Sequence, residues 1–372
     1  MTTPIYLDCN ASTPIEPEVC VVVYEAMMQA GNPSSRTHSH GRKAREKIEE
    51  TRELLAEMLN AEPWEVFFTS GATESNNLAI LGMAEAGKRL GRIHLVVSAI
   101  EHASVLEPVT QLKEQGFEVT YVNCQSDGYV EPDTLLDALR DDTLLVSLME
   151  VNNETGVVQS IEEVARRLKG HAAFFHVDAA QGFGKGPTDY SGVDLLSLTA
   201  HKIYGPVGVG ALMVREHLLE YLQPRSFGGG QEESLRPGTL SMPLIAGFGK
   251  ALSLCQLSKE REAACLAFRE KAFLALSDMG AIFNVPLERS LPNTFNLRFP
   301  GLDSEVVMMT LSNRISISNG SACHSGGSKS HVLEAMGLSA MALQESLRIS
   351  WCHMTPELDW IKIKVLLEEL RK

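Results

Sequence analysis

The sequence predicts an α/β fold with a large domain built on a mainly parallel sheet and a smaller α+β domain toward the C-terminus. Between about residues 64 and 215, short apolar runs alternate with amphipathic stretches, which is the pattern of βαβ units. A Gly/Pro-rich stretch over 227–238 interrupts this pattern. A long helix-like run over 243–277 and further strand candidates follow, so a second domain is expected to begin near residue 250.

The apolar runs predict seven strands in the first domain and three in the second. In chain order they cover 66–69, 94–98, 118–122, 144–149, 174–177, 194–197 and 208–214, and then 294–299, 314–318 and 346–351. Helix-like stretches cover 74–89, 104–115, 132–139 and 161–169, and a last helix ends the chain. Pro132 suits the first turn of its helix because proline lacks the N–H that a first turn leaves unbonded, and Gly116 is typical of a helix end.

The chain has the length of two domains and the composition of a globular protein. It has 372 residues, of which 44% are hydrophobic and 22% charged, and domains average roughly 150 residues. Its 33 Lys and Arg residues against 47 Asp and Glu residues give a net charge of −14. Because so acidic a chain repels polyanions, the sequence predicts no direct nucleic-acid partner and no membrane partner.

The N-terminal residues and the cysteines bear on the cellular location of the protein. Residues 1–8 lack a basic segment followed by an apolar one, and no apolar run reaches the roughly 18–20 residues of a membrane span. The seven cysteines are odd in number and include no CxxC pair, which argues against a disulfide framework and a structural zinc site. We expect a soluble cytoplasmic protein without a bound metal.

Two polar residues that follow apolar runs indicate a cofactor site. A lysine placed like Lys202, just past a strand, can form a Schiff base with a carbonyl cofactor. Asp178 ends the preceding run, at the edge where open α/β sheets bind ligands, and can pair with the protonated ring nitrogen of pyridoxal 5'-phosphate (PLP). Alone, such a lysine is more often a surface charge and such an aspartate a helix cap. Their occurrence together across one βα unit favours the cofactor.

A glycine turn before the first long helix suits a phosphate group. In Thr69-Ser70-Gly71-Ala72-Thr73-Glu74 a strand meets a glycine and a helix begins. Free backbone N–H groups at a helix N-terminus, with nearby hydroxyls, bind phosphate dianions. The motif is weak by itself because Ser and Thr caps are commonplace.

A series of motifs in chain order resembles the group I cysteine desulfurases of the class V aminotransferase superfamily, which are fold-type I PLP enzymes. The motifs are Tyr6-Leu7-Asp8 with Thr13-Pro14, Gly31-Asn32-Pro33-Ser34-Ser35, Thr69-Ser70-Gly71-Ala72-Thr73-Glu74-Ser75-Asn76, Glu101-His102, Asn152-Asn153-Glu154-Thr155-Gly156, Val177-Asp178-Ala179-Ala180-Gln181, His201-Lys202-Ile203-Tyr204-Gly205-Pro206, Arg236-Pro237-Gly238-Thr239 and Gly320-Ser321-Ala322-Cys323. The likeness runs from residue 6 to beyond 350. It implies a large PLP-binding domain over 15–250 and a small domain over 1–14 and 251–372 that carries the catalytic cysteine loop.

The resemblance also implies a role for each matching residue. Lys202 would be the Schiff-base lysine, Asp178 would contact the pyridine nitrogen and His102 would stack on the ring and relay protons. The other cofactor contacts would be Asn153 and Gln181 near the ring hydroxyl, and Ala72, Thr73, Thr199 and His201 around the phosphate. Thr239 would reach the phosphate of a neighbouring subunit, so a homodimer is implied.

Substrate and sulfur chemistry are implied in the same way. Cys323 would be the nucleophile that forms a persulfide, in a small polar segment where His324 and Lys329 could lower its pKa. Arg348 would grip the substrate carboxylate, for which a planar two-donor fork is well suited, and Asn32 would also bind substrate. The expected reaction converts L-cysteine to L-alanine and passes sulfur through Cys323 to an acceptor or scaffold protein, as in iron–sulfur cluster assembly or tRNA thiolation.

Three positions depart from the family pattern. After Arg348-Ile349-Ser350 the family commonly continues with a glycine and a second arginine, whereas this chain has Trp351-Cys352-His353. Cys9 stands where the family more often has an aromatic or non-thiol residue. His324 follows the proposed nucleophile where many members have threonine, which is a feature shared with selenocysteine lyases.

Three alternatives therefore stay open. A selenocysteine lyase would use the same fold and cofactor on L-selenocysteine. A catalytically silent scaffold for sulfur-carrier partners would not need the complete set of site residues, and a transaminase would need no nucleophilic cysteine.

Overall fold

The computed structural model describes residues 3–255, 259–319 and 330–371. Within these ranges the strands β1 to β12 are Ile5–Tyr6, Val66–Thr69, His94–Ser98, Glu118–Val122, Thr143–Ser147, Phe174–Asp178, Leu195–Thr199, Gly210–Val214, Ile282–Phe283, Thr294–Arg298, Ile315–Ser316 and Ser346–Ser350. The helices α1 to α13 are Pro17–Met27, Ser39–Met58, Ala72–Gly82, Ala84–Leu90, Ala103–Glu114, Pro132–Asp137, Ile161–Leu168, Met242–Cys255, Lys259–Asp278, Ser304–Leu311, His331–Ala335, Ala340–Glu345 and Trp360–Leu370. No helix within these ranges combines the length and apolar composition that a membrane span requires.

The central sheet has seven strands in the order β2-β8-β7-β6-β5-β3-β4. All neighbours are parallel except those of β8, which is antiparallel to both β2 and β7. Both faces are covered, because Leu95 and Val97 of β3 belong to one apolar cluster and Val96 between them belongs to another. The predicted α/β class and the mainly parallel seven-stranded sheet are confirmed.

The C-terminal part contributes to two smaller sheets, one of three strands and one of two. Strand β10 pairs antiparallel with β12 and with β9, and β1 at the N-terminus pairs parallel with β11. Leu7 accordingly packs in an apolar cluster with Phe295, Leu347 and Trp351. The N-terminal segment therefore runs beside β12 before it reaches the large sheet.

One helical prediction is corrected by the structure. The stretch predicted as one helix over 74–89 is divided into α3 and α4, because the Gly82 carbonyl accepts a bond from the Gln223 N–H outside the helix, 3.0 Å away. A side chain at Gly82 would also meet Leu222 Cδ1 at 2.7 Å. The helical run predicted over 243–277 coincides with α8 and α9, and residues 256–258 between them lie outside the described ranges.

Sequence reasoning did not predict α1 or α2. The buried face of α2 is small, with Ala44, Ile48 and Leu55 recurring every three to four residues or multiples of that spacing in a largely charged segment. That spacing is the signal that could have identified it. The two helices pack against α8 on the outside of the large sheet.

Candidate active site

The predicted cofactor residues meet at one edge of the large sheet. Asp178 ends β6 and Thr199 ends β7, and these strands are parallel neighbours, so their carboxyl ends lie side by side. The 3₁₀ turn Ala200–Lys202 follows β7 directly. The two residues that the sequence paired across one βα unit therefore do face the same edge.

A cavity of about 460 Å³ opens at this edge. Ten predicted site residues line it: Ala72, Thr73, His102, Asn153, Asp178, Gln181, Thr199, His201, Lys202 and Arg348. The volume falls within the range of sites for small ligands and cofactors.

Asp178 is fixed as a buried acceptor. Its Oδ1 accepts from the Ala180 N–H at 3.0 Å and its Oδ2 from Asn76 Nδ2 at 2.8 Å. Asn76 is fully buried and its second amide hydrogen is donated to Ser104 Oγ at 2.8 Å. A carboxylate held on both oxygens presents a defined negative charge for a cationic ring nitrogen.

His102 belongs to the same hydrogen-bond network. It caps α5, and its Nδ1 accepts from the Ser104 N–H at 3.1 Å and lies 2.8 Å from Ser104 Oγ. An Nδ1 that accepts from a backbone N–H carries no proton, so in the neutral ring the proton is on Nε2. Asn76 and the Ser104 hydroxyl thus connect the carboxylate of Asp178 to Nδ1 of His102 through hydrogen bonds.

Lys202 is held against the N-terminal segment. Its Nζ donates to the carbonyl oxygens of Asn10 and Ala11, the latter at 3.0 Å. Gln181 Nε2 donates to the same Asn10 oxygen at 2.7 Å. Asn10, which sequence reasoning did not single out, is therefore an anchor for two predicted site residues.

Arg348 is buried on β12 and only 3% exposed. Its Nη2 donates to Asp8 Oδ1 at 2.6 Å and its Nη1 to the Asn153 carbonyl oxygen at 2.9 Å. Its Nε has no hydrogen-bond partner among the described residues. The guanidinium is thus held in place through Nη1 and Nη2, and its Nε–H remains available to a further acceptor.

The opposite end of the cavity has the features of a phosphate site. Gly71 precedes α3 with φ 153° and ψ 176°, a conformation that is essentially restricted to glycine. Burial, and after it the charge of Lys202, lowers the pKa of His201 to about 4, and its Nδ1 lies 2.9 Å from Thr199 Oγ1. Near neutral pH the His201 ring is therefore neutral, with one nitrogen that donates and one that accepts a hydrogen bond.

Three buried carboxyl groups, those of Glu101, Glu150 and Glu154, are next in sequence to residues that line the cavity, and sequence reasoning assigned none of them a role. Burial, and after it the Asp178 charge, raises the pKa of Glu101 well above its ordinary value, and the Met149 N–H donates to its Oε1 at 2.6 Å. Burial raises the pKa of Glu150 and of Glu154 to about 7. Glu101 and Glu154 stand inside quoted motifs, but their protonation depends on burial, which those motifs do not reveal.

Two predicted residues do not line this cavity, and a third cannot be placed relative to it. Asn32 and Thr239 are exposed and do not line it, and Asn32 Oδ1 accepts from the Ser34 N–H at 2.9 Å. Cys323 lies outside the described residues. Within the described ranges, no group of three or more His, Cys, Asp or Glu side chains could hold a metal ion.

The residues present fit PLP. A buried carboxylate, a lysine, a histidine with a defined tautomer and a glycine-led helix N-terminus line one cavity, and these match the ring nitrogen, the aldehyde, the ring face and the phosphate. The match rests on the chemistry of the donor groups and on their occurrence in a single cavity.

Known proteins are similar to this chain over nearly its whole length. Residues 5–359 match the family model Aminotransferase class-V. The cysteine desulfurase IscS of Vibrio vulnificus is 42% identical over 383 residues, which cover 100% of the chain and 94% of the relative. That of Photobacterium profundum is 40% identical over 387 residues, with the same coverage of 100% and 94%.

Solved structures of other proteins are also similar to this chain. A NifS-like protein has a TM-score of 0.91 at 34% identity and covers 99% of each chain. The structure described as SspA in complex with cysteine has a TM-score of 0.83 at 38% identity, over 93% of this chain and 98% of the other.

Proposed function

This chain belongs to the class V aminotransferases, within the cysteine desulfurases, and we propose that its cavity at the sheet edge converts L-cysteine to L-alanine and releases the sulfur to a protein thiol. The enzyme depends on PLP. The observation that carries the assignment of the site is the single cavity that joins Lys202, Asp178, His102 and Arg348.

When bound, PLP supplies an aldehyde that bonds to amines and a protonated ring that withdraws electrons from the substrate Cα. We assign Asp178 to the ring nitrogen, where Asn76 and the Ala180 N–H keep its carboxylate oriented. His102 would cover the ring and present its Nε2 proton, and Thr73, Thr199 and His201 would bind the phosphate.

The chain's own groups would handle the substrate as follows. Arg348 binds the carboxylate of L-cysteine, using the donor that no described residue satisfies. Lys202 Nζ accepts the α-proton, and the carbonyls of Asn10 and Ala11 hold this nitrogen when it is not engaged. The Cys323 thiolate then attacks the substrate sulfur, the C–S bond breaks, and Cys323 keeps the sulfur as a persulfide.

The test compares alanine release from L-cysteine and from L-selenocysteine, with reductant and without oxygen. We expect the wild type to turn over L-cysteine and Cys323→Ser to lose this activity while it keeps bound PLP. Cys20→Ser is the matched control, because Cys20 is an exposed cysteine on α1. Turnover confined to L-selenocysteine that survives Cys323→Ser would contradict the proposal and make the chain a selenocysteine lyase.

We further propose a homodimer in which Thr239 completes the phosphate site of the neighbouring subunit. In support, Thr239 is exposed and does not line this chain's own cavity. Mixed dimers of Lys202→Ala and Thr239→Ala subunits contain one site with both native residues, so mixing should restore activity that each variant lacks. Failure to regain activity in mixed dimers would refute shared sites.

The domain division and the cellular location stay proposals. We propose the large domain over 15–250 and the small domain over 1–14 and 251–372, which the pairing of β1 with β11 supports. A cytoplasmic location is supported by the seven cysteines without a predicted disulfide framework. The sulfur acceptor is a protein, and its identity depends on surfaces that the cavity does not define.

A further inference from the structure

Two cysteines that depart from the family pattern, Cys9 and Cys352, lie together in the folded chain. Cys9 and Cys352 are 343 positions apart and form a small buried cluster with Tyr204, in which they are 1% and 3% exposed. They are close enough for the interaction between the two thiols to be the largest influence on the pKa of each. The backbone keeps them together, because the Cys9 N–H donates to the Ser350 carbonyl oxygen at 3.1 Å.

Hydrogen-bond donors converge on the Cys352 sulfur. The Cys9 thiol, the Met354 N–H and the Thr355 hydroxyl all donate to it, the last at 3.7 Å. These donors, with Cys9 first, lower the pKa of Cys352 to about 7 against the opposing effect of burial. The pKa of Cys9 is raised, first by this hydrogen bond and then by burial. These shifts favour the thiolate of Cys352 and the neutral thiol of Cys9 near neutral pH.

We propose that Cys9 and Cys352 form a redox-active pair that a peroxide converts to an internal disulfide. The Cys352 thiolate attacks a peroxide oxygen, the O–O bond breaks, and the departing hydroxide takes up a proton to leave as water. The Cys9 thiol then attacks the resulting sulfenic acid, an S–S bond forms, the S–O bond breaks, and a second water leaves. Two thiols lose two electrons to the peroxide, and a small thiol reductant reverses the reaction.

The bond would join two segments that both line the proposed active site. Asp8, just before Cys9, accepts from Arg348, and Asn10, just after it, accepts from Lys202. Cys352 lies two residues beyond Ser350, whose Oγ accepts from the Asn10 N–H at 2.9 Å. Oxidation would therefore fasten the N-terminal segment to the end of β12, a constraint that stabilises the folded chain relative to the unfolded one.

The other buried thiols lack this environment. Burial raises the pKa of Cys265 to about 12 and that of Cys255 to about 11. Both face a separate cavity of about 480 Å³ together with Lys185 and Tyr204. Cys265 lies close enough to Cys352 for the charge of Cys352 to contribute to its raised pKa, which makes it the most stringent control.

The experiment treats the holoenzyme with one equivalent of hydrogen peroxide, alkylates the remaining thiols under denaturing conditions and maps proteolytic peptides by mass spectrometry without reduction. We expect a cross-linked peptide that joins Cys9 to Cys352, about 2 Da lighter than the two reduced peptides together and lost on reduction. Cys265→Ser should retain this cross-link, and Cys9→Ser and Cys352→Ser should abolish it.

A second measurement compares the oxidised and the reduced wild type, and Cys9→Ala serves as its control. The melting temperature of the oxidised wild type should rise and return to its starting value after reduction, whereas oxidation should not raise that of Cys9→Ala. Recovery of Cys9 and Cys352 as separately alkylated peptides after oxidation would overturn the proposal. A cross-link from Cys352 to Cys265 would overturn it as well, because it would assign the partner thiol wrongly.

Discussion

The role of Arg348 can be tested by Arg348→Lys, a change that keeps the positive charge and removes the planar fork. In the native site two nitrogens are occupied, by Asp8 at 2.6 Å and by the Asn153 carbonyl at 2.9 Å, while Nε has no described partner. A lysine ammonium paired with Asp8 cannot also present a fixed donor to a substrate carboxylate. Alanine is a poorer test, because removal of one partner from a buried pair costs about 3–5 kcal/mol in folding.

The magnitude follows from the interaction that is lost. One hydrogen bond to a charged group contributes about 1.5–3 kcal/mol, and each 1.4 kcal/mol corresponds to a factor of ten. We expect kcat/KM for L-cysteine to fall by about 10- to 150-fold, mainly through KM, because Lys202 and Asp178 are untouched. The assay is alanine release at a series of L-cysteine concentrations, with the absorption of bound PLP as a check on folding.

Two controls make this result specific. Arg298→Lys removes a guanidinium from the neighbouring strand β10, where Arg298 pairs with Glu345 at 3.4 Å outside the cavity, so its kinetics should match the wild type. Cysteamine, which lacks the carboxylate, should bind equally well to wild type and Arg348→Lys. An unchanged KM for L-cysteine, or an equal loss of cysteamine binding, would refute the assignment.

Three further predictions concern the phosphate end and the buried acids. Gly71→Ala should weaken PLP binding, because the backbone conformation of Gly71 costs other residues about 1–3 kcal/mol. Equilibrium titration with PLP measures the effect. The control is Gly186→Ala, where the added methyl group meets open space, and this variant should bind PLP as the wild type does. The pKa of His201 should rise from about 4 when inorganic phosphate binds, because a dianion favours the charged imidazolium. An NMR titration measures this pKa with and without phosphate, and an unchanged pKa would contradict a phosphate contact. Glu150, with a folded-state pKa of about 7 against 4.5 unfolded, contributes stability that is present below pH 4.5 and lost as pH rises through 7. Its loss amounts to roughly 3 kcal/mol at 1.36 kcal/mol per unit. Urea unfolding of Glu150→Gln should therefore show a smaller fall between pH 5 and pH 8 than the wild type, and equal falls would argue against the raised pKa.

Much of the site could be predicted because its residues stand at the ends of recognisable apolar runs. Asp178 and Lys202 follow strands that the sequence predicts, and parallel neighbours bring their carboxyl ends to one edge. Gly71 before α3 and His102 before α5 similarly mark the starts of helices. The predicted roles of Asn32, Thr239 and Cys323 remain predictions, since the first two are outside the cavity and the third is outside the described residues.

The sequence by itself determined the fold class, the family and ten of the residues that line the cavity, because these depend on local periodicity and on motifs in chain order. Only the tertiary structure decided which distant groups touch: Asp8 with Arg348, Asn10 with Lys202, and Cys9 with Cys352. It also decided which carboxyl groups are buried, and burial raises the pKa of Glu101 well above its ordinary value. The physical reason is that ion pairs, thiol contacts and desolvation depend on neighbours in space. The placement of the N-terminal segment beside β12 sets those neighbours, and no periodicity along the chain encodes it.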